Sequence, residues 1–223
     1  MHWGTIADWV VAATTIILAA VAVFQDWIRS VVFAPRLGIT LRTAPPDCVW
    51  VPFGSGADTL HVRFYVENTG YQAATDVEVY AKELRRLGSD GRWQRVDAFP
   101  PMNLIWADVG GMHVANMAPE TGRHCDLGHI MDPAFRHMVP EEFNPSLNLT
   151  RDQTSFTFAL AAKPNHMGYI VPPATYCLDV LVAARNARTL RETLSIVVDG
   201  RWFTTQQQML ASGIHVEVVP RVL

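Results

Sequence analysis

Cysteine is scarce in this chain. The three thiols, Cys48, Cys125 and Cys177, are odd in number and spread over 223 residues, which leaves no basis for the disulfide framework of a small secreted domain. Lysine is scarcer still, at Lys82 and Lys163 only, so arginine carries the positive charge; that bias points to GC-rich bacterial coding and says nothing of activity. Charged residues make up 17% of the chain and the formal net charge is -3, so there is neither a basic excess suited to nucleic acid nor an acidic tail. The spacings that announce chemistry are missing too. No CxxC, HxxxH or HExxH is present to hold zinc, and there is no GxSxG nucleophile turn, P-loop or dinucleotide fingerprint. The chain therefore reads as a binding protein and not an enzyme, with no cofactor and no nucleic-acid partner expected.

Apolar residues are plentiful, at 49%, and fall into two patterns. The first is a run without charge from Trp9 to Phe24, WVVAATTIILAAVAVF. It is a little short of the roughly 20 residues that span a bilayer, but Thr5-Ile6-Ala7 and Trp27-Ile28 extend it. Trp9, Ile16, Ile17, Leu18, Phe24 and Trp27 are the anchor residues, and Trp3, Trp9 and Trp27 suit the headgroup region. Ala20-Val21-Ala22 has the form of a signal-peptide cleavage site. A positive n-region is missing, however, Asp8 leads the run, and the helix pattern continues towards Pro35, so residues 1–34 read as a retained anchor. Arg29, Arg36 and Arg42 follow the run and none precedes it, which places the C-terminal bulk on the cytoplasmic side of a bacterial inner membrane. The reversed topology would make the same domain an envelope-facing ligand-binding or assembly module. Thr14 and Thr15 can bond to the preceding helical turn, and with Ala12, Ala19 and Ala22 they offer a close-packed face that permits homo-oligomerisation through the helix.

The second pattern is period-two alternation through residues 35–223. Leu37-Ile39-Leu41, Leu60-Val62-Phe64-Val66, Val77-Val79-Ala81, Phe156-Phe158-Leu160, Tyr176-Leu178-Val180-Val182, Leu194-Ile196-Val198 and Ile214-Val216-Val218 each read as a strand with one buried face. Asp90-Gly91 and Asp199-Gly200, each followed by Arg-Trp, read as hairpin turns. Thr204 to Ala211 reads as a short helix capped by Thr204 or Thr205. Many short strands with few helices predict a mainly β fold, an antiparallel sandwich.

The stretch LHVRFYVENTGYQAATDVEVYAKEL resembles the strand, Asn-x-Gly turn, strand signature of immunoglobulin-like modules in bacterial and archaeal surface and membrane proteins, and TYCLDVLVAARNARTLRETLSIVVDGRW is similar to the closing strands of such sandwiches. The resemblance implies a fold and brings no catalytic residues with it. The chain exceeds the roughly 100 residues of a minimal sandwich of this kind, so an elaboration is expected. The segment 99–149, rich in Pro, Met, Gly and His, reads as an irregular insertion and the first place to seek a site.

Candidate chemistry is sparse. His124, Cys125, His129 and His137, with His113 upstream, are residue types that zinc accepts. In a regular strand Cys125 and His129 would share a face with Leu127 between them, too far apart for one ion without a bulge, so a metal-dependent enzyme is the lesser reading. Glu141-Glu142, with Asp126 and Asp132 nearby, could supply paired carboxylates, although Pro140-Glu141-Glu142 reads more simply as a turn. Arg85, Arg86, Arg92 and Arg95, with Lys82, gather on one predicted hairpin as a partner surface or as a charged strand edge that resists pairing. Together these features predict an anchored sandwich that recruits another protein through segment 99–149 or an exposed strand edge.

Overall fold

The computed structural model describes residues 5–52, 58–139 and 144–220; Trp3 and the Glu141-Glu142 pair lie outside the described residues. Helix α1 spans Ile6–Val32. Its segment Ile6–Gln25 is long and apolar enough to cross a membrane, and none of it is buried against the rest of the chain. Trp9, Ile16, Ile17, Leu18, Phe24 and Trp27 are all more than half exposed, so α1 is not the core helix of a soluble fold. The Thr14 and Thr15 hydroxyls donate to the Val10 and Val11 carbonyls at 2.8 Å, which satisfies both polar groups within the helix.

Strands β1 (Leu37–Thr40), β2 (Cys48–Pro52), β3 (Asp58–Asn68) and β4 (Ala74–Leu87) are followed by the short β5 (Trp93–Arg95), β6 (Met102–Asn103), β7 (Ile105–Trp106) and β8 (His113–Met117). Then come β9 (Thr121–Met131), β10 (Phe156–Phe158), β11 (Ile170–Val171), β12 (Ala174–Ala184), β13 (Ala187–Val198), a helical turn α2 (Gln206–Gln208) and β14 (Ile214–Val219). They form two antiparallel sheets in a sandwich-like arrangement. One runs β1-β3-β9-β10-β11, with β2 also on β3 and β7 also on β9. The other runs β14-β13-β12-β4, with β8, β6 and β5 in succession along the outer side of β4.

Alternation sets the faces. Leu60, Val62, Phe64 and Val66 of β3 are fully buried, and they meet Leu178, Val180 and Val182 of β12 and Leu194 and Ile196 of β13 in one core. Burying each such aliphatic side chain is worth about 1.5–3 kcal/mol, enough to fix the register wherever one face is inward.

Two expectations need correction. Segment 99–149 is not an irregular insertion: it supplies β6 to β9, and β9 pairs with β3 over its whole length. A bulge hides this strand in the sequence. Val62 faces Gly128 while Arg63 faces Asp126, so Leu127 is an extra residue and the alternation slips by one. Asp199-Gly200 is not a tight hairpin either. Gly200, at φ +94°, abuts Pro173 and accepts from Thr154 N at 2.7 Å, while Trp202 packs on Trp50 with ring centroids 4.7 Å apart before β14 begins. The short helix expected over 204–211 is present as α2 continued by a π-helical turn at Met209–Gly213, and Thr205 caps it, its Oγ1 accepting from Gln208 N at 3.3 Å. Asp90-Gly91 does make the β4–β5 turn, with Gly91 at φ +75°.

Candidate functional site

The sandwich has two ends, and the helix enters at one of them. There the fully buried Asn68 joins three pieces of chain. Its Oδ1 accepts from Arg36 N at 3.1 Å and Gly70 N at 3.0 Å, and its Nδ2 donates to Gln72 O at 2.7 Å and Met117 O at 3.1 Å. The Arg36 carbonyl in turn accepts from Thr69 N at 2.8 Å. Gly70 sits so close to the incoming chain that a Cβ there would stand 2.5 Å from Ala34 O and Arg36 N.

The opposite end is reached along β4, which from Ala74 to Arg86 runs roughly 40 Å at about 3.3 Å per residue. Here a cleft of about 1030 Å³ opens between residues 96–101, 144–147 and 166–172. Its floor is apolar, formed by the buried Phe99, Ile170, Val171 and Tyr176. Phe99 is held edge-on against Phe158 at 5.1 Å. The walls are tied together: Asn144 Nδ2 donates to Met167 O at 3.1 Å, and Gly168 approaches Ala98 so closely that a Cβ would fall 1.7 Å from the Ala98 carbonyl. The Tyr176 hydroxyl donates to Pro172 O at 2.7 Å. Burial pushes this phenol up to about 12, with the Arg86 charge pulling the other way. Arg86 lies on the cleft wall, exposed and with no ion-pair partner among the described residues.

The other candidate residues do not assemble into a second site. Arg85 alternates to the outer face of its sheet, where it pairs with Asp179 at 2.7 Å and Glu83 at 3.7 Å, and Thr193 Oγ1 completes that network at 2.8 Å from Asp179. Arg95 lies 3.7 Å from Asp97, and Arg92 is exposed at the β4–β5 turn. Of the four, only Arg86 faces the cleft. The bulge at Leu127 turns the Cys125 side chain into the core and leaves His129 on the outer face, where it stacks on His61 at 5.4 Å. Cys125 Sγ donates to Ile105 O at 3.5 Å, and burial first, then Asp126, pushes its thiol well above the usual range. Burial and the adjacent Asp47 likewise push Cys48 up to about 12, which leaves both sulfurs protonated and poor as ligands or nucleophiles. His124 Nε2 is 3.1 Å from Oδ1 of the buried Asp47, and His137 sits on a separate turn at Arg136–Met138. No group of three or more His, Cys, Asp or Glu side chains able to hold a metal occurs among the described residues. Asp126 pairs with Arg63 at 2.8 Å and Asp132 accepts from Ala134 N at 2.9 Å, so these two carboxylates do not face each other across a cleft.

Both ends of segment 99–149 border the cleft, but the third wall, 166–172, went unremarked in the sequence. Its signal was local: Pro172-Pro173 just before a strong strand, preceded by Gly168, marks a chain that must bend sharply beside the sheet. No protein-family model matches the chain, and no curated protein is similar to it in sequence.

Proposed function

We propose that this protein is a single-pass, membrane-anchored binding module. On this reading α1 lies in the bilayer, the sandwich stands on the cytoplasmic side, and the cleft takes an apolar segment of a partner protein that carries a carboxylate opposite Arg86. The observation that carries it is the cleft itself: an apolar floor with a guanidinium on its wall that is unpaired among the described residues, at the end of the sandwich away from the helix. Binding sites are typically concave and apolar with a few placed polar groups, and an unpaired arginine on such a wall favours a carboxylate through a bidentate, charge-assisted contact.

Strand connectivity supports an immunoglobulin-like reading of the sandwich. β2, β3 and β9 share one sheet and β4, β12 and β13 the other, with the chain crossing between sheets from β3 to β4, back and forth through β7 and β8 to β9, and again from β11 to β12. Hydrogen bonding at two outer strands favours the cleft over strand addition. Thr43 Oγ1 donates to Val216 O and accepts from Val216 N, both at 2.9 Å, in the middle of β14, and Trp50 N of β2 donates to Gln206 Oε1 at 3.1 Å. The cytoplasmic placement rests on the arginines that follow α1. Labelling of a Ser89→Cys variant in intact cells with an impermeant thiol reagent tests it, because Ser89 is exposed while the three native thiols are buried; labelling before lysis would reverse the topology.

The binding reading is tested by panning random peptides against the full chain embedded in lipid discs. Enrichment of apolar peptides bearing an acidic residue is expected, with affinity at least about tenfold weaker for Arg86→Gln. Enrichment of basic peptides, or equal affinity for wild type and variant, would exclude the cleft as the site.

A further inference from the structure

The helix end of the sandwich carries a different feature. A cleft of about 640 Å³ lies between Pro35–Leu37 and residues 188–191 of β13, alongside the part of that strand preceding its pairing with β14. Arg36, Arg188 and Arg191 line it. All three are exposed, and none has an ion-pair partner among the described residues. The contrast with their neighbours is sharp: Arg185, at the same end, is held by Asp76 at 2.7 Å, and Arg42 lies 3.6 Å from Asp47. Three positive charges from two distant parts of the chain thus border one open groove, a setting that favours an anion there.

Geometry identifies the anion. The 27 residues of α1 extend about 40 Å, the thickness of a bilayer with its headgroups, so the end of the helix and the chain just beyond it lie at headgroup level. Arg36 is in that chain. Phe33 and Tyr71, 44% and 70% exposed, meet edge-on at 6.1 Å beside it, and aromatic rings favour the same layer. Resting on the reading of α1 as a membrane anchor, we propose that Arg36, Arg188 and Arg191 form a binding site for the phosphate headgroup of an anionic phospholipid. The guanidinium forks grip the phosphate oxygens bidentately. The bound lipid then holds the sandwich against the membrane by its helix end and turns the Arg86 cleft away from the surface.

The test uses the full chain in lipid discs of phosphatidylcholine, alone or mixed with phosphatidylglycerol, with amide hydrogen exchange over residues 68–73 and 184–191 as the readout. Exchange is expected to slow by at least about fivefold in the phosphatidylglycerol discs, with that slowing cut to about twofold for each of Arg188→Gln and Arg191→Gln and none in the double variant. Arg151→Gln, an exposed arginine elsewhere, keeps the full dependence. Equal exchange in the two kinds of disc overturns the proposal while leaving the anchor intact, provided the chain co-elutes with both. A chain that co-elutes with neither overturns the anchor and the proposal together. Slowing in phosphatidylcholine discs on addition of inorganic phosphate alone would make the site one for free phosphate and overturn the lipid assignment.

Discussion

At the helix end of the sandwich one buried asparagine fastens three segments together, whereas at the far end three segments curve around an opening that no side chain among the described residues fills. Both ends cap the same two sheets, and the same strands run between them. The difference lies in what the connections do with their polar groups. At the helix end the backbone groups of Arg36, Gly70, Gln72 and Met117 all close on Asn68, so the joint is fully bonded and carries its charge outward on arginines. At the far end the bonds run along the rims, from Asn144 to Met167 and from Tyr176 to Pro172, and the space between is left apolar. A bonded joint suits attachment, and a rimmed opening suits a guest.

The largest effect that would break this contrast is expected at Asn68. Truncation by Asn68→Ala strands two carbonyls, that of Met117 buried, and two backbone N–H groups at once, and should cost about 3 kcal/mol in urea unfolding of the detergent-solubilised chain. Peptide affinity at the Arg86 cleft, measured on the folded fraction, should not change. A cost well below 1 kcal/mol would mean that the helix end is joined by packing and not by this side chain.

Next in size is Gly168→Ala. The new methyl would fall on the Ala98 carbonyl, which is backbone and cannot swing aside, so the two rims must part. A cost of about 2 kcal/mol is expected, as for overpacking generally, together with weakened peptide binding. Exchange of the amides around Asn68 should stay as in the wild type. Unchanged peptide affinity would show that the clasp between residues 98 and 168 does not shape the cleft.

These two positions also show what could be read without the fold. The strands at 60–66, 176–182 and 194–198 were legible because one face of each is buried throughout, so hydrophobic residues recur at every second position. Strand β9 was not, because the bulge at Leu127 breaks that period and Gly122, Gly128 and two histidines dilute what remains. Asn68-Thr69-Gly70 was legible as a stop for β3, but its partners Arg36 and Met117 are distant in sequence, so its role as a joint was not. Arg86 stood out as a charge in a basic hairpin. That it faces inward along the cleft wall while Arg85 faces out follows from their adjacent places on β4, and could have been read once the strand was known. Nothing local marks Arg188 and Arg191; only the fold brings them beside Arg36.

The smallest effect expected is also the most specific to the far end. Tyr176→Phe removes one hydroxyl and its bond to Pro172 O, a loss of about 1 kcal/mol at neutral pH. The sign of its pH dependence follows from the phenol, which burial lifts from 10.0 to about 12 in the folded chain. Below pH 10 the group is protonated in both states and its contribution is whole. As the pH rises from 10 towards 12 the unfolded chain ionises first, so the wild type loses stability over that window. The variant has no phenol at this position and escapes the loss. Its deficit should therefore shrink above pH 10 and then change sign, while the alkaline destabilisation owed to Cys48 is common to both chains. Because the Arg86 charge pulls the phenol down, Arg86→Gln should leave the onset of this loss in place but carry it further up in pH and so enlarge it, whereas Arg188→Gln should leave its extent unchanged. Urea titrations of the four proteins at neutral pH and above pH 10 read both effects; a loss whose extent ignores Arg86 would mean that its guanidinium does not share the cleft with Tyr176.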